Sequence, residues 1–394
     1  MAHVGHDGPE LYSHVVARTA DGQVTNFPVS QHRTLHASTH TTVFTPTTAL
    51  PDISTASQVD VRIPAGSCGS VTGLAIRLDL SNNNGGPATF YGAIRLFDRI
   101  ELWAESGSVL VQRWTADELA TCLHYLSREA GERYVRTAGA QTLAVGASRT
   151  VFVRLPFNIF ESSHMNIGGL RSDLYVRCFF RGIESYATVD FLTLDSLQVV
   201  ASWLAKPPSV QRALVDRMRS QTLDYRYWAS QVQKEVVTMA PSTRYQIRLS
   251  SMHGIVSDIA VIIRPAGHTG ANSAGGFVQP AVYELIDAGG KSLLSGASFP
   301  FEYNGFQKQE QGLLDAFFPE LQNLDDTLLI PLSPDPKTTL SSGTVSGYII
   351  GSGYESIGLT TAAGLAPGQY EVTVIWHRAE RLRVDGGHVT VHAS

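Results

Sequence analysis

The sequence predicts an all-β chain folded as two consecutive eight-stranded barrels with a few short helices. Short runs of alternating apolar and polar residues recur along most of its length, separated by clusters of Gly, Pro, Asn and Ser. Only 16% of residues are charged while Gly numbers 35, a balance that suits strands and turns better than long surface helices. The 394 residues exceed the ~100–200 of a typical domain, and Pro207-Pro208 punctuates the chain near its middle. The expected organisation is an N-terminal arm over 1–45, a first barrel over 46–205, a linker with a short helix over 206–228 and a second barrel over 229–394.

The first forty or so residues are polar and carry His3, His6, His14, His32, His36 and His40 without an apolar period. Irregular His spacing favours an arm over a metal site. Strand texture begins with Val59 to Pro64 and Val71 to Leu80, followed by a turn over Ser81 to Pro87. Ile94 to Trp103 and Val109 to Val111 flank Ala104 to Ser108 as a hairpin. Thr115-Ala116-Asp117-Glu118 is a capping box, and Leu119, Leu123 and Leu126 follow at helical spacing. Thr150 to Phe157, Asp173 to Phe180 and Ser196 to Ala201 bring the strand number before position 205 to about seven or eight, the number a jelly roll requires.

Beyond Lys206-Pro207-Pro208-Ser209, Val210 to Gln221 reads as a short helix with Val210, Leu214 and Met218 on one face. Strands then resume over Lys234 to Met239, Arg244 to Leu249, Ile255 to Arg264 and Ala281 to Ile286. The last are Leu329 to Pro331, the long alternation of Tyr370 to Trp376, and a final strand after Gly386-Gly387. Two long connections, Ala266 to Gly276 and Pro300 to Leu324, are candidates for an outer surface or for contacts between subunits.

Patterns that would carry chemistry are few. Gly289-Gly290-Lys291-Ser292 resembles the end of a phosphate-binding loop, but Leu285 stands where the first Gly is required and strands flank it as a hairpin. No His-x-His pair with a following Glu supports a metal-holding bicupin. His388 and His392 could face one side of the last strand and share an ion, although no third ligand is near in sequence, and a solvated or interface pair is the better reading. Neither Gly-x-Ser-x-Gly nor a local Cys signature anchors a nucleophilic hydrolase. Asp325-Asp326 sits beside turns and reports solvation, while carboxylates spaced for glycoside hydrolysis cannot be recognised from sequence. Trp103, Trp114, Trp203, Trp228 and Trp376 lie in or beside apolar strands or the linker, where core or interface is their ordinary place. Cys68, Cys122 and Cys178 read as free buried thiols. The site reading is therefore empty: no catalytic, cofactor-binding or metal residues, and no cofactor.

The order of several segments resembles the double jelly-roll major capsid proteins of large eukaryotic DNA viruses and tailless, membrane-containing phages. In the second half, Leu332 to Pro336 followed by Ser342-Gly343-Thr344 is similar to the family's Pro-rich turn and Ser-Gly segment. Val372 to Trp376, Arg381 to Val384 and Gly386-Gly387 resemble its penultimate strand and closing turn. Leu293 to Gly296 with Phe299 to Tyr303 stand in place of an Asn-Gly and aromatic segment. In the first half, Leu96 to Trp103 with the helix from Thr115, and Arg154-Leu155-Pro156-Phe157, look like its strand-hairpin-helix and Leu-Pro-Phe strand. His377-Arg378-Ala379 departs from the expected Asn-Tyr-Asn, and Gly347 to Gly353 from an Asn-Phe-Ser-Arg stretch, which argues for a distant branch such as a phage.

The resemblance implies a capsid subunit of the virion shell without enzymatic activity, assembled in the host cell interior. It implies a homotrimer with a pseudo-hexagonal footprint, in contact with neighbouring capsomers, minor capsid or penton proteins and an internal membrane beneath the shell. The net charge of -5 gives no basic field for packaging nucleic acid, so sequence-specific nucleic-acid binding is not expected. The absence of a leader-like start or a bilayer-length apolar run predicts a soluble, unsecreted protein. Two other readings stay open: a two-barrel enzyme, either a bicupin or a glycan hydrolase, and a viral spike or lectin-like binding protein.

Overall fold

Period-two alternation places apolar side chains on one face of each strand, and the strands pair so that those faces meet. In the computed structural model the described residues are the strands at 2–4, 15–18 and 24–25, then 38–122, 136–139, 141–156, 158–161, 164–186, 188–250, 252–267, 278–293, 299–301, 304, 327–334, 346–350 and 355–393. Leu123, Leu126, Asp325-Asp326, Ser341 to Thr344 and most of the two long connections lie outside them, as do Leu294 to Gly296 and Asp335-Pro336.

Near the N-terminus, β1 (Ala2–Val4), β2 (Val15–Arg18) and β3 (Val24–Thr25) form a three-stranded sheet. Ten strands follow: β4 (Ser38–Phe44), β5 (Ser57–Ile63), β6 (Ser70–Ser81), β7 (Ala88–Phe90), β8 (Phe97–Ala104), β9 (Val109–Thr115), β10 (Gln141–Leu143), β11 (Ser148–Leu155), β12 (Leu174–Phe180) and β13 (Thr193–Ala205). The second half contributes β14 (Thr222–Met239), β15 (Arg244–Arg248), β16 (Gly254–Pro265), β17 (Pro280–Ile286), β18 (Phe299–Pro300), β19 (Leu328–Pro331), β20 (Tyr348–Ile350), β21 (Ser356–Thr361), β22 (Gly368–Asp385) and β23 (His388–Ala393). Among the described residues, the α-helices of four residues or more are α1 (Ala116–Cys122), α2 (Asn158–Glu161) and α3 (Pro208–Ser220).

The sheets come in matching pairs. The first half holds β11-β6-β13-β4 facing β5-β12-β8-β9, and the second holds β14-β22-β16-β19 facing β15-β21-β17-β18. With the eight strands of these two sheets in each half ranked in chain order, leaving aside the β7–β10 pair and the added strands β20 and β23, both halves give sheet orders 1-8-3-6 and 2-7-4-5. Every pairing is antiparallel, the Greek-key pattern of a jelly roll. The doubling that the strand rhythm suggests is thus a repeat of topology, without a residue-level repeat.

Local differences from the sequence reading have physical causes. Ile94 to Leu96 are not strand but a 3-10 turn over Ala93–Leu96, entered through Gly92 at φ 102, and β8 starts only at Phe97. That turn aims Arg95 inward (below). β4 is legible neither by alternation nor by composition, because six of its seven residues are not buried and only Phe44 is. β14 begins twelve residues before the expected Lys234, its early part being carried by Tyr225, Tyr227 and Trp228 in a polar context.

The longest pairing joins β14 to β22 over 18 residues, from Thr222↔Asp385 to Met239↔Gly368, a ribbon of roughly 60 Å at ~3.3 Å per residue. One face of this ribbon serves two cores. Tyr370, Val372, Val374 and Trp376, with Met239, belong to the core of the second barrel. Farther along the same alternation, Leu382 and Val384 on β22, Tyr227 and Ala229 on β14, and Val389 on β23 are buried in the core of the first. The two-residue turn Gly386-Gly387, with φ 57 and 86, is the hairpin geometry that glycine favours. It also presses on the first barrel, since a Cβ at Gly387 would sit 2.8 Å from the Gly169 carbonyl oxygen.

Truncating Leu382, which is 1% exposed, should therefore open a cavity in the first barrel although the residue sits on a strand of the second. Leu382→Ala is expected to cost ~2–5 kcal/mol in denaturant unfolding, and a cost below ~1 kcal/mol would show that the ribbon end is not part of that core.

Candidate functional site: the buried junction between the barrels

β16 lacks alternation: from Val256 to Arg264 every residue is buried, as are Val372 to Ala379 on β22. A strand covered on both faces reads this way. The inner face packs in the second core, while the outer face carries Asp258, Ala260, Ile262 and Arg264 of β16 beside Glu371, Thr373, Ile375 and His377 of β22. Helix α1 of the first barrel meets this outer face, and the polar groups there pair across the junction.

The capping box positions α1 as its sequence predicts. Thr115 N–H donates to Glu118 Oε2 at 2.5 Å, and Glu118 N–H donates to Thr115 Oγ1 at 3.3 Å. Asp117, 2% exposed, is thereby turned toward two guanidinium groups. Arg95 reaches it from the first barrel at 2.7 Å, and Arg264 reaches it from the second at 2.9 Å. Arg264 also pairs with Glu371 at 2.9 Å, and Lys234 approaches Glu371 at 3.5 Å. Burial disfavours the Asp117 carboxylate, but the attraction of Arg95 and Arg264 outweighs it and holds the carboxyl far below the usual range.

A second cluster lies along β22. His377 donates from Nδ1 to Asp258 Oδ1 at 2.8 Å, its Nε2 lies 3.7 Å from Cys122 Sγ at the end of α1, and Ser257 donates to Asp258 Oδ2 at 2.6 Å. Burial opposes charge on the imidazole, yet Asp258 and Cys122 hold its pKa well above the ordinary value. Burial pushes the Cys122 thiol up, so the pair is an imidazolium beside a neutral thiol. The connectivity is that of a nucleophile–His–Asp relay. The protonation is the reverse of what a relay needs, and Asp258 and His377 are 0% and 2% exposed.

Two further contacts complete the junction. The Tyr227 hydroxyl lies 3.0 Å from the Val111 carbonyl and 2.9 Å from Glu380, which also receives Arg378, and Gln112 Nε2 donates to the Trp228 carbonyl at 3.2 Å. At the hairpin between β8 and β9, Glu105 accepts from Val389 N–H at 2.6 Å, from His388 at 3.1 Å and from Ser172 at 3.0 Å.

Other sequence candidates do not join this site. Gly289 to Ser292 is a turn: Asp287 Oδ1 accepts from Gly289 and Lys291 N–H, and Leu293 N–H donates to Leu285. His388 binds Glu105, whereas His392 lies 3.2 Å from Thr390. Among the described residues no group of three or more His, Cys, Asp or Glu could hold a metal. Trp114, Trp228 and Trp376 are buried; Trp103 lies under Arg177, and Trp203 stacks on His40. The three cysteines are free thiols, Cys68 and Cys178 buried and Cys122 half-buried.

No family model matches the sequence, and no curated protein matches it. Solved structures do. A chain of the PBCV-1 virus capsid superposes with a TM-score of 0.68 at 12% identity, covering 92% of this chain and 98% of that one. The Faustovirus major capsid protein gives 0.63 at 11% identity, covering 95% and 94%. A chain of the Sputnik virophage gives 0.57 at 8% identity, covering 90% and 88%. The chain has the double jelly-roll fold. In that fold the sequence reading had marked Thr115 to Glu118, Cys122 and His388, but it had given no pairing role to Arg95, Asp258, Arg264 or Glu371. His377-Arg378-Ala379, noted there only as departures from a family pattern, supply the imidazolium and the Arg378 contact with Glu380. The available signal was a set of charged residues inside or closing apolar strands, namely Asp258, Arg264 and His377.

Removing one member of the central cluster should cost more than removing the cluster. Asp117→Asn, which takes the partner from Arg95 and leaves Arg264 with Glu371 alone, is expected to lose ~3–5 kcal/mol, whereas Asp117→Leu combined with Arg95→Met and Arg264→Met should lose much less in the same denaturant titration. The pH dependence has two limbs. The depressed carboxyl of Asp117 contributes stability that is whole above the ~3.9 of an unfolded Asp and is lost as pH falls below it. The raised imidazole of His377, faced by Asp258 and Cys122, contributes stability that is whole below ~6.5 and is lost as pH rises through its folded value. The melting temperature should decline on the alkaline side, and His377→Gln should flatten that decline.

Proposed function

We propose that this chain is a major capsid protein, a non-enzymatic structural subunit of an icosahedral viral shell that acts by shape and interface. The observation that carries the reading is the doubled 1-8-3-6 and 2-7-4-5 topology locked by a buried junction, together with its likeness over nearly the full chain to proteins named as viral capsid or major capsid proteins. Two similar barrels in fixed relation give three copies an almost six-fold outline, so the subunit is a homotrimer that tiles with neighbouring capsomers. Minor capsid or penton proteins close the vertices, and an internal membrane underlies the shell. The virion is its location.

The division into an arm over 1–45, barrels over 46–205 and 229–394, and a linker over 206–228 belongs to this reading. In it the arm ends in β4 and the linker ends in the first residues of β14, so both connectors are themselves strands of the sheets they enter. The arm reaches a neighbouring subunit or an inner layer. The enzyme reading gains nothing from the junction, whose one nucleophile-like set is buried and held in the wrong protonation state.

Electron microscopy and native mass of the purified protein test the proposal. Hexagon-outlined trimers are expected; a monomer at micromolar concentration, or a tightly held metal in a monomer, would overturn it.

A further inference from the structure

The chain is net acidic, yet the charged residues that line one cleft beside the first barrel are both arginines. Its walls are Ala65 and Gly66 from the turn after β5, Leu170 and Arg171 ahead of β12, and Arg219 from the last turn of α3, around a volume of about 450 Å³. Arg171 and Arg219 are both exposed, and among the described residues neither pairs with a carboxylate. Two acids in the flanking segments are engaged elsewhere. Asp173 accepts from Arg62 at 2.5 Å and from Ala65 N–H at 2.8 Å, and Asp385 accepts from Thr222 at 3.0 Å.

The walls are held in place by parts of the fold that do not depend on a ligand. Arg171 N–H donates to the Gly387 carbonyl at 3.0 Å, which fixes its backbone against the β22–β23 turn. Met218, next to Arg219, is buried against Gly169. Gly66, at φ 79, leaves open space where a Cβ would stand. Two arginines on fixed backbones beside an open volume offer the paired donors that suit the oxygens of a phosphate group.

We propose that this cleft binds a phosphate-bearing anion, with Arg171 and Arg219 as the paired ligands. The same chemistry is presented by a free phosphate or pyrophosphate and by the headgroup of an anionic phospholipid, and two arms separate them. The full chain is titrated calorimetrically with inorganic phosphate and pyrophosphate at low salt. It is also floated with phosphatidylcholine vesicles with and without phosphatidylglycerol. Saturable binding in either arm, weakened at least tenfold in Arg171→Gln/Arg219→Gln and retained in the charge-matched Arg113→Gln/Arg154→Gln, is the expected result, and the arm that responds names the source. An unchanged melting temperature in the double variant verifies its fold. Absence of saturable binding in both arms, or undiminished binding by Arg171→Gln/Arg219→Gln, would overturn the proposal.

Discussion

The relation between the two barrels depends on one constraint: the strand pair β14 and β22 cannot be divided between them. Its 18 residue pairs are a continuous antiparallel ladder, and one face of that ladder is core for the second barrel at one end and for the first at the other. A flexible tether would leave each barrel free to rotate, as domains with small polar interfaces do. Here rotation would break backbone hydrogen bonds in the ladder and expose Leu382, Val384 and Tyr227 to water at the same time.

The ionic junction adds orientation to that linkage. Buried ion pairs contribute little net stability, since desolvation offsets much of their attraction, but they penalise any arrangement that leaves a charge alone. Asp117 between Arg95 and Arg264, and His377 between Asp258 and Cys122, each draw from both halves of the chain. A slipped or rotated docking of α1 would take one guanidinium from Asp117 and one carboxylate from Arg264, leaving each buried charge with a single partner where it now has two. The hydrophobic ribbon therefore sets the connection and the buried charges select one docking geometry, which is what a shell subunit of fixed outline needs.

Much of the fold was legible in sequence. Strands with one wet face, such as β6 and β12, announce themselves by alternation, and the box at Thr115 to Glu118 marks the start of α1. What escaped follows from the same physics. β4 has an almost fully exposed surface and so lacks an apolar signal, and the start of β14 buries aromatic and polar side chains together. The turn at Ala93–Leu96 looks like strand because its apolar residues are buried on all sides. The junction was harder still, because its partners are separated by up to 284 residues and its members have unremarkable neighbours in sequence. An Arg closing a strand or a His within one becomes informative only when the opposite charge is known to face it.

The claim that the two barrels form a single mechanical body is tested most directly by hydrogen exchange followed by mass spectrometry through a denaturant series, with peptides from β6 reporting on the first barrel and from β16 on the second. The account predicts that both lose protection together, at one denaturant midpoint. Loss of protection in β6 while β16 stays protected, or the reverse, would contradict it.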